Sequence, residues 1–403
     1  MKTANWKREK LGNLVNFKTG KLDSNAAIPN GAYPFFTCSQ ETFRTNTFAF
    51  DTECVLLGGN NANGIFPLKY FSGKFDAYQR TYVITAKNTK QLNQRFLYFA
   101  LRPKLEMLRS MSTGAATKFL TLTILNSIDF ELPPIEEQRR ITAILSAYDD
   151  LIENNTRRIG ILEEMAQRIY EEWFIRFRFP GHEHVPLVAS ELGLIPQGWE
   201  VKSVGETFTV VGGGTPSTAV SEFWDEGTIN WYSPTDLTSA KTVFMDSSKD
   251  KISPLGLSKS SARLFPPFSV MMTSRATLGV IAINTTEACT NQGFITCIPN
   301  TEFQLYILYY WLKQNVELFI GLASGATFKE ITKGTFKRIL LSVPLPLLSN
   351  KFQSIIEPLM KELLCLQRKN QNLRRTRDLL LPKLISGAID VSGLPEPHEL
   401  TTA

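Results

Sequence analysis

Two short polar runs hold the side chains best suited to recognition by hydrogen bonding. Gly58-Gly59-Asn60-Asn61-Ala62-Asn63-Gly64 sets three amides among glycines that permit close backbone approach. A carboxamide presents the donor and acceptor pair that fits an adenine edge. Thr273-Ser274-Arg275-Ala276-Thr277-Leu278-Gly279 carries a guanidinium that can fork onto guanine, with Ser274 and Thr277 beside it. Either run also reads simply as a turn between strands. A second pair of loops matches in order: Ser112, Thr113, Gly114, Thr117 and Lys118 against Ala323, Ser324, Gly325, Phe328 and Lys329, after which the second adds Lys333, Lys337 and Arg338. A lysine at the same place in both suits a phosphate contact that positions rather than specifies. The other reading is a loop that packs on a helix base. Gln79 with Arg80, and Asn291 with Gln292, form a third pair, equally readable as structural amides, and Lys69 adds a cation between the first runs.

No bond-breaking chemistry accompanies these residues. An adenine methyltransferase needs Asn or Asp before paired prolines and an aromatic after them; Phe265-Pro266-Pro267-Phe268 lacks the first and Leu132-Pro133-Pro134-Ile135 lacks both. Gly212-Gly213-Gly214 does not reproduce GxGxxG, and no GxxxxGK[ST] run exists. A common nuclease pattern of Pro-Asp followed by acid-x-Lys is missing, Glu200-Val201-Lys202 being the sole acid-x-Lys. His182, His184 and His398 lie in polar segments and read as solvated. Cys38, Cys54, Cys289, Cys297 and Cys365 show no CxxC spacing, which suits unpaired thiols in a reducing compartment and gives no expectation of bound metal.

The elements that must position the polar runs are duplicated. Residues 112–165 recur at 323–376 with a constant shift of 211: Gly114, Ala115, Lys118, Thr121, Pro133, Ile144 and Leu162 meet Gly325, Ala326, Lys329, Thr332, Pro344, Ile355 and Leu373. Trp6, Gly12 and Gly20 recur as Trp199, Gly205 and Gly213 at a shift of 193, and Gly64 and Gln79 as Gly279 and Gln292 at 215 and 213. The second copy therefore gains about twenty residues, mostly between Gly213 and Ser274, where loops tolerate insertion. Each copy is expected to be α/β (α+β), with strands such as Thr81–Ile84 and Ser269–Met272 and a helix near Leu92–Arg109 or Glu302–Leu318.

Each copy runs into a helix with a heptad seam. Ile141, Leu145, Tyr148, Ile152, Asn155, Ile159, Leu162, Ala166, Ile169 and Trp173 alternate steps of four and three, as do Phe352, Ile356, Leu359, Leu363, Leu366, Asn370, Leu373, Arg377, Leu380 and Leu384. Ten layers span about 50 Å at 1.5 Å per residue. A buried amide costs stability unless it finds a partner. Antiparallel pairing in full register opposes Asn155 to Asn370 and Arg377 to Tyr148, whereas parallel pairing leaves both amides against Leu366 and Ile159. An antiparallel pair with an internal pseudo-two-fold axis is expected; the alternative packs each helix on its own domain with the asparagines solvated. Pro358 should kink the second helix or mark a late start.

The formal charge of +6 is concentrated in residues 1–133, which hold 17 Lys and Arg against 9 Asp and Glu. That balance is consistent with phosphate neutralisation without proving it. Apolar residues make up 43%. Leu305–Leu312, the longest dense apolar stretch, is too short to span a bilayer, and no apolar run follows Lys2, Lys7, Arg8 and Lys10. A cytoplasmic location is expected.

Three stretches carry a family resemblance. Leu132-Pro133-Pro134-Ile135-Glu136-Glu137-Gln138-Arg139-Arg140-Ile141 leads straight into a heptad helix; Phe179-Pro180-Gly181-His182-Glu183 continues through Ser190-Glu191-Leu192-Gly193 into Ile195-Pro196-Gln197-Gly198-Trp199; and Leu380-Leu381-Pro382-Lys383-Leu384-Ile385-Ser386-Gly387 closes the second helix. The chain resembles the specificity subunits of type I restriction-modification enzymes over nearly its whole length. It departs at Val343-Pro344-Leu345-Pro346-Leu347-Leu348-Ser349-Asn350, which lacks the Glu-Glu-Gln of the first helix start, so the two starts need not dock a partner equivalently.

The resemblance implies target-recognition domains at 1–133 and 179–344, conserved coiled-coil helices at 134–178 and 345–392, and a flexible tail at 393–403. It implies a DNA reader without catalysis of its own, each domain reading one half of a bipartite asymmetric target and the helices setting the spacer. Recognition modules on one face of B-DNA sit roughly 34 to 36 Å apart or at multiples of it, a gap such helices can span. Partners implied are double-stranded DNA, two methyltransferase subunits and two restriction subunits. No cofactor is expected in this chain; S-adenosylmethionine, ATP and Mg belong to the partners. A DNA-cleaving subunit of a related system, or a coiled-coil scaffold without nucleic acid, are the alternatives.

Overall fold

Alternating hydrophobic patterns in each copy build a sheet that packs on helices. The fold is that of a computed structural model that describes residues 6–114, 117–325 and 329–395. Two compact units result: residues 1–153 with 371–403, and residues 154–370. The divisions fall inside the two long helices rather than at their starts. Tail residues 396–403 lie outside the described residues.

In the first unit, six strands order as Val15–Thr19, Thr81–Ala86, Phe50–Gly58, Leu68–Ala77, Tyr33–Phe36 and Phe43–Thr45 among the described residues. Leu57, Ile84, Phe96, Phe99 and Phe130 are buried between this sheet and the helix Gln94–Leu101. That helix and Leu105–Met111 occupy the region where one helix was expected, because Pro103 sits in a 3-10 turn, Arg102–Lys104, between them. The second unit repeats the plan with Thr209–Gly212, Phe294–Ile298, Val270–Thr273, Ile281–Asn284 and Phe244–Met245. Its inserted residues supply the helices Pro234–Ala240 and Pro254–Ser258 and the strand Asp250–Ile252, which joins Ile229–Tyr232 and Ala288–Thr290 in a separate sheet. Leu305–Gln314 is helical, and Tyr306 through Leu312 are all buried, which explains that dense apolar run.

Recurrent residues have recurrent physical duties. Gly64 and Gly279 hold φ of +67° and +94°, and Gly114 and Gly325 hold +105° and +124°, where a side chain is strained. A Cβ on Gly20 or Gly213 would lie 1.7 Å from the Ala77 carbonyl oxygen or 1.9 Å from that of Asn291. Thr121 accepts from the Ile124 amide at 3.3 Å and Thr332 from the Thr335 amide at 3.1 Å, so both threonines cap a short helix. Ala115, Ala326 and Phe328 lie outside the described residues.

The long helices are Ile135–Tyr170, extended by a π-turn over Glu171–Ile175, and Pro346–Ile385. Pro358 marks no late start, since the helix begins twelve residues earlier and continues through it. Within the second unit, Asn155 is buried and its Nδ2 donates to Asn370 Oδ1 at 3.0 Å, while Trp173 and Phe352 rings meet at 5.8 Å. Arg158 bonds Glu362 at 2.9 Å. Partner numbers fall as the first helix rises, so the helices are antiparallel, in the register that opposes the two asparagines. In the first unit, Arg377 bonds Asp149, next to Tyr148, at 2.5 Å.

The helices also pack on their own domains, which a seam alone does not foretell. Gln138 is fully buried: its Oε1 accepts from the Asn93 amide at 2.9 Å, and its Nε2 donates to the Gln91 and Pro133 carbonyls at 2.9 and 2.8 Å. Glu137 accepts from Trp6 Nε1 at 3.1 Å. The Glu-Glu-Gln run is thus largely an internal clasp on the helix that Asn93 caps. Ser349 stands in its place in the second unit and reaches the Leu345 carbonyl just before the start of its own helix. There Gln367, further along the same helix, brackets the Phe244 backbone amide and carbonyl at 3.2 and 3.0 Å.

Candidate nucleic-acid interface

The three polar segments of the first copy, distant in sequence, form one surface. Asn60–Asn61 pairs antiparallel with Lys118–Phe119, so Asn60 opposes Phe119 and Asn61 opposes Lys118. The Leu120 amide donates to the Gly59 carbonyl and the Gly59 amide to the Arg80 carbonyl, both at 2.8 Å. Arg80 lies over the Phe119 ring at 5.4 Å. Thr113 and Phe119 exchange both backbone bonds, closing the Gly114 loop. Asn61 Oδ1 accepts from the Asn63 amide at 2.8 Å, which sets the turn that Gly64 completes with its positive φ. Asn63, Arg80 and Thr113 are left exposed, and Asn61 and Lys118 half-exposed.

The second unit repeats the backbone bonds that join its three segments, while its turn differs, Gly279 bonding Thr273 where Gly64 bonds Asn61. The Ile331 amide donates to the Ser274 carbonyl at 3.0 Å, the Ser274 amide to the Gly293 carbonyl at 2.8 Å, and Ser324 exchanges both bonds with Glu330. Arg275 opposes Glu330 in the place where Asn60 opposes Phe119. Asn291 Oδ1 accepts from the Gly293 amide at 2.8 Å. Arg275, Thr277, Gln292, Ser324, Lys329 and Lys333 are exposed around it. One backbone scaffold therefore carries three amides in one unit, of which Asn63 is exposed while Asn61 Oδ1 is taken by the Asn63 amide and Asn60 Oδ1 is buried without a partner, and an exposed guanidinium in the other.

Not every candidate is free to do so. Ser274 is 2% exposed and serves through its backbone, which is why a hydroxyl pattern alone misled. Lys69 is half-buried in the strand Leu68–Ala77, and its ammonium donates to the Glu41 carbonyl at 2.7 Å and to Thr42 Oγ1 at 3.1 Å. Burial pushes its pKa down to about 8 although Glu41 opposes that. Gln79 Nε2 donates to Asp23 at 2.7 Å, and Gln292 Oε1 accepts from Thr215 Oγ1 at 2.5 Å, each tying the frame to the loop after its domain's first sheet strand. For these two glutamines the structural duty is the one observed.

Residues that no pattern singled out also border the surface. A Cβ on Gly64 would meet Arg109 Cγ at 3.0 Å, so the exposed Arg109 flanks the asparagine turn. In the second unit Arg263 lines a cleft with Lys333, already a candidate from the sequence. Arg109 belongs to a helix whose polar face looked ordinary, and Arg263 to the inserted segment, which has no counterpart to compare. No group of three potential metal ligands occurs among the described residues, and no described helix is long and apolar enough to cross a membrane.

Comparison with known proteins finds the same duplication. The family model for the type I restriction modification DNA specificity domain matches residues 3–164 and again 196–373. The EcoDI type I restriction enzyme specificity subunit of Escherichia coli is 37% identical over 163 residues, covering 40% of this chain and 35% of that protein. The MjaIX specificity subunit of Methanocaldococcus jannaschii is 28% identical over 337 residues, covering 78% of this chain and 76% of its own. A crystal structure of a type I restriction-modification S subunit from M. genitalium superposes with a TM-score of 0.63 at 18% identity, over 94% of this chain and 96% of that one, and so shares the fold. Two matched domains, each built on the same loop frame, place the chain in the type I restriction-modification DNA specificity family.

Proposed function

We propose that the chain is the DNA-reading subunit of a type I restriction-modification complex, in which each globular domain reads one half of a bipartite, asymmetric duplex target. In this reading the boundaries are 1–133 and 179–344 for the readers and 134–178 and 345–392 for the helices. The long helices set the unread spacer and dock two methyltransferase subunits, with two restriction subunits completing the assembly. S-adenosylmethionine, ATP and Mg are held by those partners, this chain supplies no catalysis, and the complex works in the cytoplasm.

What carries the reading is the matching set of backbone bonds that joins three segments under Asn60–Asn63 and under Arg275–Thr277, with different side chains on it. A scaffold kept constant while its readout varies suits two readers of two sequences. Mixed with duplex DNA, the purified chain is expected to bind with steep salt dependence and neither to cut nor to methylate it. Cleavage by the chain alone would instead assign it to the nucleases. Failure to bind duplex DNA at any salt, with a methyltransferase subunit present, would leave only a scaffold.

A further inference from the structure

The run Gly212-Gly213-Gly214 matches no nucleotide fingerprint, yet the structure explains each constraint on it. Gly213 passes within 1.9 Å, measured from an added Cβ, of the Asn291 carbonyl oxygen, and Gly214 within 2.4 Å of Ser261. Gly212 and Gly213 form the floor of a cleft of about 420 Å³ whose walls carry Arg263 and Lys333. Lys333 stands on one wall, its Nζ 4.0 Å from the Cβ position of Gly212. Arg263 stands between Ala262 and Phe265, which are 4% and 2% exposed, so its backbone is anchored while its side chain is free in solvent. No carboxylate lines the cleft, and neither cation makes an ion pair among the described residues.

Two exposed cations lining one cleft with a stretch of glycine backbone suit an anion that must come close to the main chain. The cleft also adjoins the candidate reading surface. Gly213 abuts Asn291, and a Cβ on Gly293 would lie 3.6 Å from Arg275 Nε. We propose that Arg263 and Lys333 form a clamp for a DNA backbone phosphate beside the half-site read by the second domain. The proposal rests on the DNA-reading function above and adds to it a contact that the first domain lacks. Leu122 occupies the place of Lys333 there, and Arg263 belongs to the inserted segment. The second domain, whose segment carries no excess of basic residues, thereby gains a local grip that the more basic first domain obtains from its general charge.

The test is a salt titration of duplex binding by the full chain and by its Arg263→Gln/Lys333→Gln variant, using one duplex with the target and one without. Both side chains are exposed, so the melting temperature is expected to stay at the parent value and loss of binding will not reflect unfolding. Loss of the one neutralised phosphate lowers the slope of log K against log salt by about 0.9. Between about 100 and about 300 mM salt the parent then loses roughly threefold more affinity than the variant, on both duplexes alike. An unchanged slope in a variant whose parent binds DNA overturns the clamp and leaves the reading function standing. A loss confined to the target duplex makes Arg263 or Lys333 a base contact and overturns it as well. Absence of binding by the parent overturns both. Competition by inorganic phosphate that spares DNA binding while protecting Lys333 from acetylation would reassign the cleft to a free anion.

Discussion

Replacing Gln138 tests how the first long helix is fixed to its domain. Its side chain makes three hydrogen bonds at 2.8 to 2.9 Å and is fully buried. Each bond of this kind contributes about 1 kcal/mol net, so Gln138→Ala is expected to destabilise the first unit by about 2 to 4 kcal/mol, cavity included. Gln138→Glu separates hydrogen bonding from packing. A carboxylate keeps the acceptor for the Asn93 amide but turns an oxygen toward the Gln91 and Pro133 carbonyls. Its folded-state pKa must therefore rise, and a group that binds its proton more tightly when folded makes stability increase as pH falls. The slope reaches at most about 1.4 kcal/mol per pH unit between the unfolded and folded pKa values. Urea denaturation of the full chain, followed by fluorescence between pH 5 and pH 8, reads both effects. An alanine variant within about 0.5 kcal/mol of the parent, or a glutamate variant whose stability ignores pH, would refute the clasp.

Three other outcomes are expected. Arg275→Ala relaxes discrimination by about 1 to 3 kcal/mol at one or two base pairs of one half-site only, as read by binding to a library of substituted duplexes; equal loss on every sequence would make Arg275 a phosphate contact. Four residues added to each long helix, at 153/154 and 370/371, lengthen each by about 6 Å and change the spacer of the methylated target while both half-sites persist; altered half-sites would contradict the ruler. Lys69→Met removes a pH dependence. Because burial lowers the Lys69 pKa to about 8, the folded state sheds this proton first, so parent stability rises between that pH and the ordinary lysine value and is flat below it. Denaturation at pH 7.5 and 9.5 is expected to show the lysine-dependent gain in the parent and its loss in the variant.

Periodicity made the helices legible. A seam broken by one amide per helix has few ways to satisfy both, and Asn155 with Asn370 follows from counting layers. The recurrent glycines were legible as positions, and their positive φ or close approach supplies the cause. The union of three loops into one surface was not legible, since pairing Asn60 with Phe119 needs a tertiary contact across 59 residues. Exposure of single polar residues was the weakest inference. Ser274 is spent on its backbone, and Lys69 is held by its neighbours, because hydrogen bonding within the fold consumes the same chemistry that recognition needs. Gln138 misled in the opposite sense: part of a family motif that suggested a docking face, it is wholly internal.

Two readers held by one pair of helices leave a signature in the adenine-methylation map of the host genome, recorded with and without this gene. One split motif, two unlike half-sites around a fixed spacer, is expected to be fully methylated with the gene and unmethylated without it. Substituting Arg275 should then alter one half alone. A map that does not change on deletion, or the loss of an undivided motif, would contradict two readers held by one pair of helices.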